Sequence, residues 1–433
     1  MVRKNPMLAI FTTVFVDLLG FGILIPVFPL LIDPDSSFRV TPEAWSPTQS
    51  LIMLGWLQAI FPFCVFLAAP ILGQMSDRYG RRPVLAVSIF GTAIGYFLFA
   101  VGIATANIPL LFISRALDGF TGGNIAVANA AVGDISTPET RAKNFGMLGA
   151  AFGMGFVIGP YLGGKLSESG ISFYGLFDTP SWFGATTPFI FAGILSLLNC
   201  LAILTTFPET IKEKFHAGRI KASQSVMNVV QGFSSDRLRV VLLSSLLFSA
   251  GFTFFTSFFG VYLRKKFDFN SSETGDYFAL VGIFIALAQA IFVPRVAKRL
   301  ADYQVLRFSM FGNAAMMAVY FLTPTTSQIW LYLAIPFFTF FNGLTMANTT
   351  SLVSRSAEPG QQGQAMGIYS SVQSLAQVPA SILVGYIAND LTSNQPLIVS
   401  SVCIAAGGLA FLLLFRPKYV SANTGAPEGM PAH

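Results

Sequence analysis

The chain has 433 residues, 53% of them hydrophobic and only 11% charged, with a mean hydropathy of +0.65 and a formal net charge of +6. Soluble domains carry about 25% charged residues, and a water-facing surface this apolar would aggregate, so a soluble globular protein is excluded and lipid is the natural solvent. The apolar runs are long and uninterrupted, whereas a membrane β-barrel reads as ~10-residue alternating segments; the expected class is an all-α integral membrane protein without a nucleic-acid partner.

In chain order the runs predict twelve membrane helices, at about 7–32, 47–72, 83–104, 108–134, 143–166, 185–206, 239–263, 273–294, 304–322, 328–353, 363–388 and 395–415. Each can cross a hydrocarbon core of about 30 Å. Met1 to Pro6 runs straight into the first of them without an A-x-A-like site, so no cleaved signal peptide is expected. With the N-terminus in the cytoplasm, the inner segments hold 20 of the 26 lysines and arginines. Five (Arg39, Lys165, Arg264, Lys265 and Lys266) fall outside, and Arg115 lies within the membrane. That bias predicts both termini inside, with the outer Arg264-Lys265-Lys266 cluster as the main misfit.

Cys64, Cys200 and Cys403 sit inside apolar runs and read as small hydrophobes rather than disulfide partners. His216 lies in a polar loop and His433 ends the chain, so no intramembrane metal site and no metal or organic cofactor are expected. The long polar stretch Pro208–Arg237 divides the spans into six plus six. The expected organisation is a six-helix bundle over 1–206, a cytoplasmic linker over 207–238, a second bundle over 239–418 and a flexible tail over 419–433. Sliding the first half by 221 positions sets Arg78, Val84 and Leu85 on Arg299, Val305 and Leu306, although Asp77 falls on Lys298 and Gly73 on Pro294. Two similar six-helix halves with a site between them near the midplane are what a rocking-bundle transporter needs.

Between spans two and three lies Gly73-Gln74-Met75-Ser76-Asp77-Arg78-Tyr79-Gly80-Arg81-Arg82. Gly73 and Gly80 permit a tight reversal there. Asp77 offers an anion to neighbouring arginines or to a helix N-terminus, and Arg78, Arg81 and Arg82 hold the turn at the cytoplasmic surface. This segment resembles the signature loop of the major facilitator superfamily, G-x-x-x-D-R-x-G-R-R. The resemblance implies the superfamily fold of twelve helices in two pseudo-symmetric six-helix bundles, and a role for the loop as a conformational latch. Breaking the contacts of Asp77 is expected to loosen the outward-facing state.

Span five carries Gly149, Gly153, Gly155, Gly159-Pro160 and Gly163-Gly164. The four-residue spacings put small residues on stripes that another helix backbone can approach, and Pro160 removes one helical hydrogen bond. Gly155 to Gly164 resembles the antiporter motif of the superfamily's drug exporters. Span one, with Asp17-Leu18-Leu19-Gly20-Phe21-Gly22 before Pro26 and Pro29, is similar to the first span of the twelve-helix drug:proton antiporters, tetracycline efflux proteins among them. Span four, Arg115-Ala116-Leu117-Asp118-Gly119-Phe120-Thr121-Gly122-Gly123-Asn124, resembles the family's fourth-helix motif, and the stretch on to Asp134 and Arg141 resembles the tetracycline exporters. These motifs cover about residues 10 to 165; the second half matches in hydropathy and in the Gln361-Gln362-Gly363-Gln364 entry to span eleven.

Asp17, Arg115 and Asp118 are the ionisable side chains expected deep in the bilayer, each aspartate about ten residues, or ~15 Å, from a membrane surface. Arg115 and Asp118 share a helix face and can neutralise each other. Burial favours the neutral form of a carboxylate and a nearby arginine the charged form, so a movement that changes such a distance changes proton affinity. Either aspartate could carry the proton, or the pair could be structural. The second half contributes aromatics rather than charge. Gln58, Asn124, Phe255, Phe259, Phe341, Asn342, Asn348 and Gln373 are the candidate walls of a cavity for an amphipathic small molecule. With no P-loop and no nucleophile–base pair or ligand cluster at membrane depth, neither an ATP-driven pump nor an enzyme is expected. The expected function is export of a hydrophobic or amphipathic molecule in exchange for protons, by a monomer in a bacterial inner membrane. Export or flipping of a native metabolite, sugar or lipid is the alternative.

Overall fold

Inside hydrocarbon a polypeptide has to satisfy its own backbone, and the long apolar runs do so as helices. The computed structural model describes residues 6–173, 177–211, 223–325, 327–357, 362–388 and 394–416. In chain order the helices of the first half are α1 (Pro6–Ile32), α2 (Pro47–Tyr79), α3 (Arg81–Ala104), α4 (Ile108–Gly122), α5 (Asn124–Ile135), α6 (Pro138–Leu166) and α7 (Thr187–Thr206). A connecting helix, α8 (Gln224–Ser234), precedes α9 (Arg239–Phe267), α10 (Ser271–Leu287), α11 (Val293–Ala297), α12 (Asp302–Leu322), α13 (Ile329–Ser356), α14 (Gln362–Ile387) and α15 (Gln395–Leu414).

Ten segments among the described residues are long and apolar enough to cross a membrane. The broken pair α4–α5 and the 26-residue α14 complete twelve spans. Span four breaks at Gly123, where a side chain would meet the backbone of Ala69 at 2.9 Å, so the missing Cβ lets α2 come close. Span eight runs from α10 through a π-helical turn, Ala288–Phe292, into α11.

Helix starts are written in the sequence. Ser46 and Gln49 form a reciprocal capping box at α2, with Gln49 N donating to Ser46 Oγ at 3.2 Å and Ser46 N donating to Gln49 Oε1 at 2.8 Å. Asn107 accepts from Leu110 N at 3.0 Å to start α4, and Asn270 accepts from Glu273 N at 2.7 Å to start α10.

Within the first half α1 packs on α6, and α3 on α4 and α7; within the second, α9 packs on α15, and α12 on α13 and α15. The halves meet through α2 against α14, α6 against α10 and α1 against α9. As span numbers these contacts are two with eleven, five with eight and one with seven. Adding six to one member and subtracting six from the other returns the same set, the signature of a two-fold relation between six-helix bundles. The face on which α1 begins is called the near face, and the face on which it ends the far face.

Two expectations change. The turn expected over 73–82 is helical as far as Tyr79, and the reversal is the single residue Gly80, at φ 110°. One interior glycine costs about 1 kcal/mol, too little to stop a 33-residue apolar helix at Gly73. The linker, expected to be a polar segment, contains α8, wedged between α2 and α14 toward the near face. Ser225 Oγ donates to the Phe66 carbonyl, and Asn228 Nδ2 to Ser371 Oγ at 3.4 Å. Val226, Met227 and Val230 on its other side are exposed. A two-stranded antiparallel turn, β1 (Ser172–Phe173) with β2 (Phe177–Asp178), decorates the far face. Cys64, Cys200 and Cys403 are free thiols. His216, Gln361, His433 and the 419–433 tail lie outside the described residues.

Candidate functional site

A cavity of about 330 Å3 lies between the halves. From the first half Asp17, Gln58, Tyr96, Arg115 and Asp118 reach it between the rings of Phe21, Phe61 and Phe156. The second half offers hydroxyls and amides (Ser249, Thr253, Thr256, Gln373 and Gln377) beside Phe248 and Phe252. Among the described residues every charge on its wall therefore comes from one half.

The three charges are held differently. Arg115 Nη1 donates to Asp118 Oδ2 at 2.6 Å, with both side chains buried on consecutive turns of α4. The guanidinium also lies over the Phe61 ring, 4.4 Å from its centroid. Asp118 thus has a full counter-charge at contact distance. Asp17, on α1, has none among the described residues: both carboxylate oxygens are buried without a hydrogen-bond partner. Asn124 at the start of α5 is its polar neighbour, but that buried amide completes no hydrogen bond either. An unpaired buried polar group costs free energy, and here two of them lie side by side, one opening on the cavity.

The glycine stripe of span five explains how Asp17 is held in place. A side chain at Gly155 would meet Leu18 Cβ at 2.6 Å; at Gly159, Leu19 O at 2.6 Å; at Gly163, Ile23 O at 2.6 Å. The α6 backbone therefore lies directly on the α1 turns that follow Asp17. Pro160 takes part, since a side chain at Gly22 would strike its ring. Gly164 faces the other half, 3.0 Å from Gly275 Cα on α10 when given a Cβ. Gly149 and Gly153, expected to form a second packing stripe, face open space.

The turn at Gly80 is a charged cluster built from the first half and the start of the linker, with no residue of the second half among its described partners. Arg81 bridges Asp77 at 2.6 Å and Asp134, at the end of α5, at 2.9 Å, and it donates to Ser76 Oγ at 2.6 Å. The backbone N–H groups of Arg81 and Arg82 donate to Glu209 at 2.9 and 3.3 Å, and Thr210 Oγ1 donates to Asp134 at 3.0 Å. A Cβ at Gly80 would collide with the Glu209 carboxylate, so glycine is required both for its backbone angle and for space. Arg82 caps the Leu204 carbonyl, and Arg78 stacks on Tyr79 with no acidic partner among the described residues. Glu209 and Thr210 were missed in the sequence because they follow span six, more than a hundred residues from the turn they complete.

The 221-position shift that pairs Arg78 with Arg299 also carries Arg81 onto Asp302 and Asp134 onto Arg355. Those two residues are bonded at 3.3 Å at the near face of the second half, where Ser351 adds a hydrogen bond to Asp302 at 2.5 Å. The second half keeps the clamp between its third and fourth spans with the charges exchanged, which the mismatch at Lys298 concealed.

Of the expected cavity walls, Gln58 and Gln373 line it; Gln58 Nε2 donates to the Ser257 carbonyl of the other half at 3.1 Å. Asn124 lies behind Asp17. Phe255 and Phe259 stack with Tyr320 and Phe338 inside the second half, at centroid distances of 4.4 to 5.7 Å. Phe341 packs over Gly312, Asn342 is buried among helices, and Asn348 bonds to its own helix at Leu344 O, 2.7 Å away.

Residues 10–381 match the sequence profile of the Major Facilitator Superfamily. The chain belongs to that superfamily. It is similar, at 27% identity over 89% of each chain, to the class H tetracycline resistance protein of Pasteurella multocida, and at 26% over 98% and 100% to multidrug resistance protein 1 of Bacillus subtilis. Among solved structures it superposes on the human organic anion transporter MFSD10 (TETRAN), with a TM-score of 0.69 and 21% identity over 94% and 98% of the two chains. The nucleoside transporter NupG gives a TM-score of 0.71 at 14% identity over 95% and 99%. This superfamily member is a membrane transporter, not an enzyme.

Proposed function

We propose that the chain is a proton-driven exporter of hydrophobic or amphipathic small molecules, with Asp17 as the residue that exchanges protons. The observation that carries this reading is the contrast at the cavity wall: Asp118 is neutralised by Arg115 at 2.6 Å, whereas Asp17 opens on the cavity with no partner. A buried carboxylate without a counter-charge needs one, and a proton or the cationic group of a cargo can supply it. Binding of either at Asp17 then excludes the other, which is the requirement for exchange. The glycine stripe behind Asp17 ties its position to α6, and Gly164 ties α6 to α10 of the other half, so rocking of the halves reaches the carboxylate. Similarity to tetracycline and multidrug resistance proteins over nearly the whole chain supports export.

In this reading the near face is cytoplasmic, both termini are inside, and one copy in an inner membrane suffices. The bundles are 1–206 and 239–418, with 207–238 as linker and 419–433 as tail. A second reading, export of a more polar native metabolite, is favoured by the hydroxyl and amide band of the second half.

Reconstitution in liposomes with an internal pH dye tests the proposal. Tetracycline or a lipophilic cation should release protons down an imposed gradient in wild type and in Asp118→Asn with Arg115→Gln, and not in Asp17→Asn. Proton flux with polar metabolites alone would favour the second reading. Flux that survives in Asp17→Asn would remove Asp17 from the coupling step.

A further inference from the structure

The basic cluster at Arg264–Lys266 runs against the charge bias of the chain, and the structure gives it a use. Arg264 Nε meets Asp33 Oδ2 at 2.5 Å and Lys265 Nζ meets Asp33 Oδ1 at 2.6 Å. Asp33 follows the last residue of α1 in the first half; the two cations end α9 in the second. Its side chain is only 3% exposed, although it sits at the far surface. A second bridge lies nearby: Lys165, at the end of α6, meets Asp276 of α10 at 2.8 Å and donates to Ser272 Oγ at 2.7 Å. Glu168 adds a third link by accepting from Ser271 N, at the start of α10, at 2.6 Å.

We propose that Asp33 with Arg264 and Lys265, and Lys165 with Asp276, form an ionic lock that clamps the two halves together at the far face and must open once per transport cycle. Among the described residues, every ion pair that joins the halves lies at this face. Those at the near face do not cross between the halves: Arg81 with Asp77 and Asp134 in the first, Asp236 of the linker with Arg239, and Asp302 with Arg355 in the second. At the near face the halves are bridged by α8 through neutral hydrogen bonds.

Beneath the lock the helix backbones touch. A side chain at Gly55 would meet Ser381 O at 2.6 Å, one at Gly260 Ile25 O at 2.7 Å, and one at Gly275 Pro160 O at 2.8 Å, each contact crossing between halves. Such dry glycine contacts are made or lost as a unit, and the charges above them decide which state is held. A buried carboxylate between two cations is stable only while both stay; parting the halves leaves charges that water must resolvate. Three of the five far-face cations outside the positive-inside pattern are thereby accounted for. The inference rests on alternation of the two halves, not on proton coupling or on any cargo.

Hydrogen–deuterium exchange on the full chain in lipid nanodiscs, without substrate, tests it. Asp33→Asn and Lys165→Asp should each speed exchange about tenfold or more at the far ends of α1, α6, α9 and α10, and slow it around the near-face turn at Gly80. Lys165→Asp combined with Asp276→Lys restores the attraction and should return the wild-type pattern. Unchanged far-end exchange in both single variants would overturn the lock. If a single variant instead loosens every helix, the exchanged pair decides: recovery supports the lock, and exchange as fast as in Lys165→Asp alone overturns it. Absence of proton flux in wild type would count against Asp17 as proton carrier and leave this result standing.

Discussion

The two halves share a fold and line the cavity differently. Among the described residues every charge on the cavity wall comes from the first half, as do the glycine stripe and the turn at Gly80; both halves supply rings, and the second adds a band of hydroxyls and amides. The difference teaches where coupling and recognition can be altered separately. In the proposed reading energy conversion needs an ionisable group whose partner changes; such groups are expensive in lipid, and one half concentrates them. Recognition of amphipathic molecules needs adaptable apolar area with a few polar contacts; in the proposed reading both halves supply the rings and the second adds the hydroxyl and amide band.

The sharpest way to break that comparison is at Arg115. Arg115→Ala leaves Asp118 buried and uncompensated and should cost about 3–5 kcal/mol of stability, seen as a large fall in thermal midpoint in detergent. Adding Asp118→Asn should recover most of it. Asp17→Asn, which removes a charge that has no partner, should leave the midpoint unchanged or higher; a fall as large as that of Arg115→Ala would show that Asp17 is structural too.

The glycine stripe gives a smaller effect. Gly159→Leu forces α6 off α1 and should cost about 1–3 kcal/mol, whereas Gly153→Leu, facing open space, should be silent in the same melting experiment. On the other half, Thr253→Ala or Gln377→Ala should shift cargo affinity by about 0.5–1.5 kcal/mol, a few-fold to roughly tenfold in KM, with the proton-to-cargo ratio unchanged. An altered ratio would mean that the second half also takes part in coupling.

The smallest effect concerns pH. Burial alone would raise the Asp33 carboxyl, but hydrogen bonds from Lys265 and Arg264 outweigh it and hold it below its ordinary 3.8. A lowered carboxyl contributes stability that is full above the ordinary value and lost only as pH falls through the lower one. Far-face exchange, corrected for its intrinsic pH dependence, should therefore stay flat from neutrality down to about that value, even while transport changes. Titration near neutrality would place another group in the lock.

Much of this was legible in the sequence, for physical reasons. Lipid forces long apolar helices, so the spans stand out, and buried charges are rare enough that Asp17, Arg115 and Asp118 identify themselves. The stripe Gly155-Gly159-Gly163 was readable because helix spacing alone puts it on one face. What faces the cavity was not. Lipid and a drug-sized cavity are both apolar, so Phe255 and Phe252 look alike in sequence, yet one is sealed among rings and the other lines the cavity. Gly153 looked like Gly155 for the same reason. Partners far apart in the chain, such as Glu209 with the turn at Gly80 or Asp33 with Lys265, leave no local pattern at all.

The central claim is that Asp17 couples cargo to protons while the rest of the cavity binds cargo. Comparison of counterflow, which exchanges labelled for unlabelled cargo without net proton movement, with gradient-driven accumulation in proteoliposomes addresses it directly. For Asp17→Asn the account predicts that counterflow persists while accumulation is lost. Accumulation equal to wild type would contradict it.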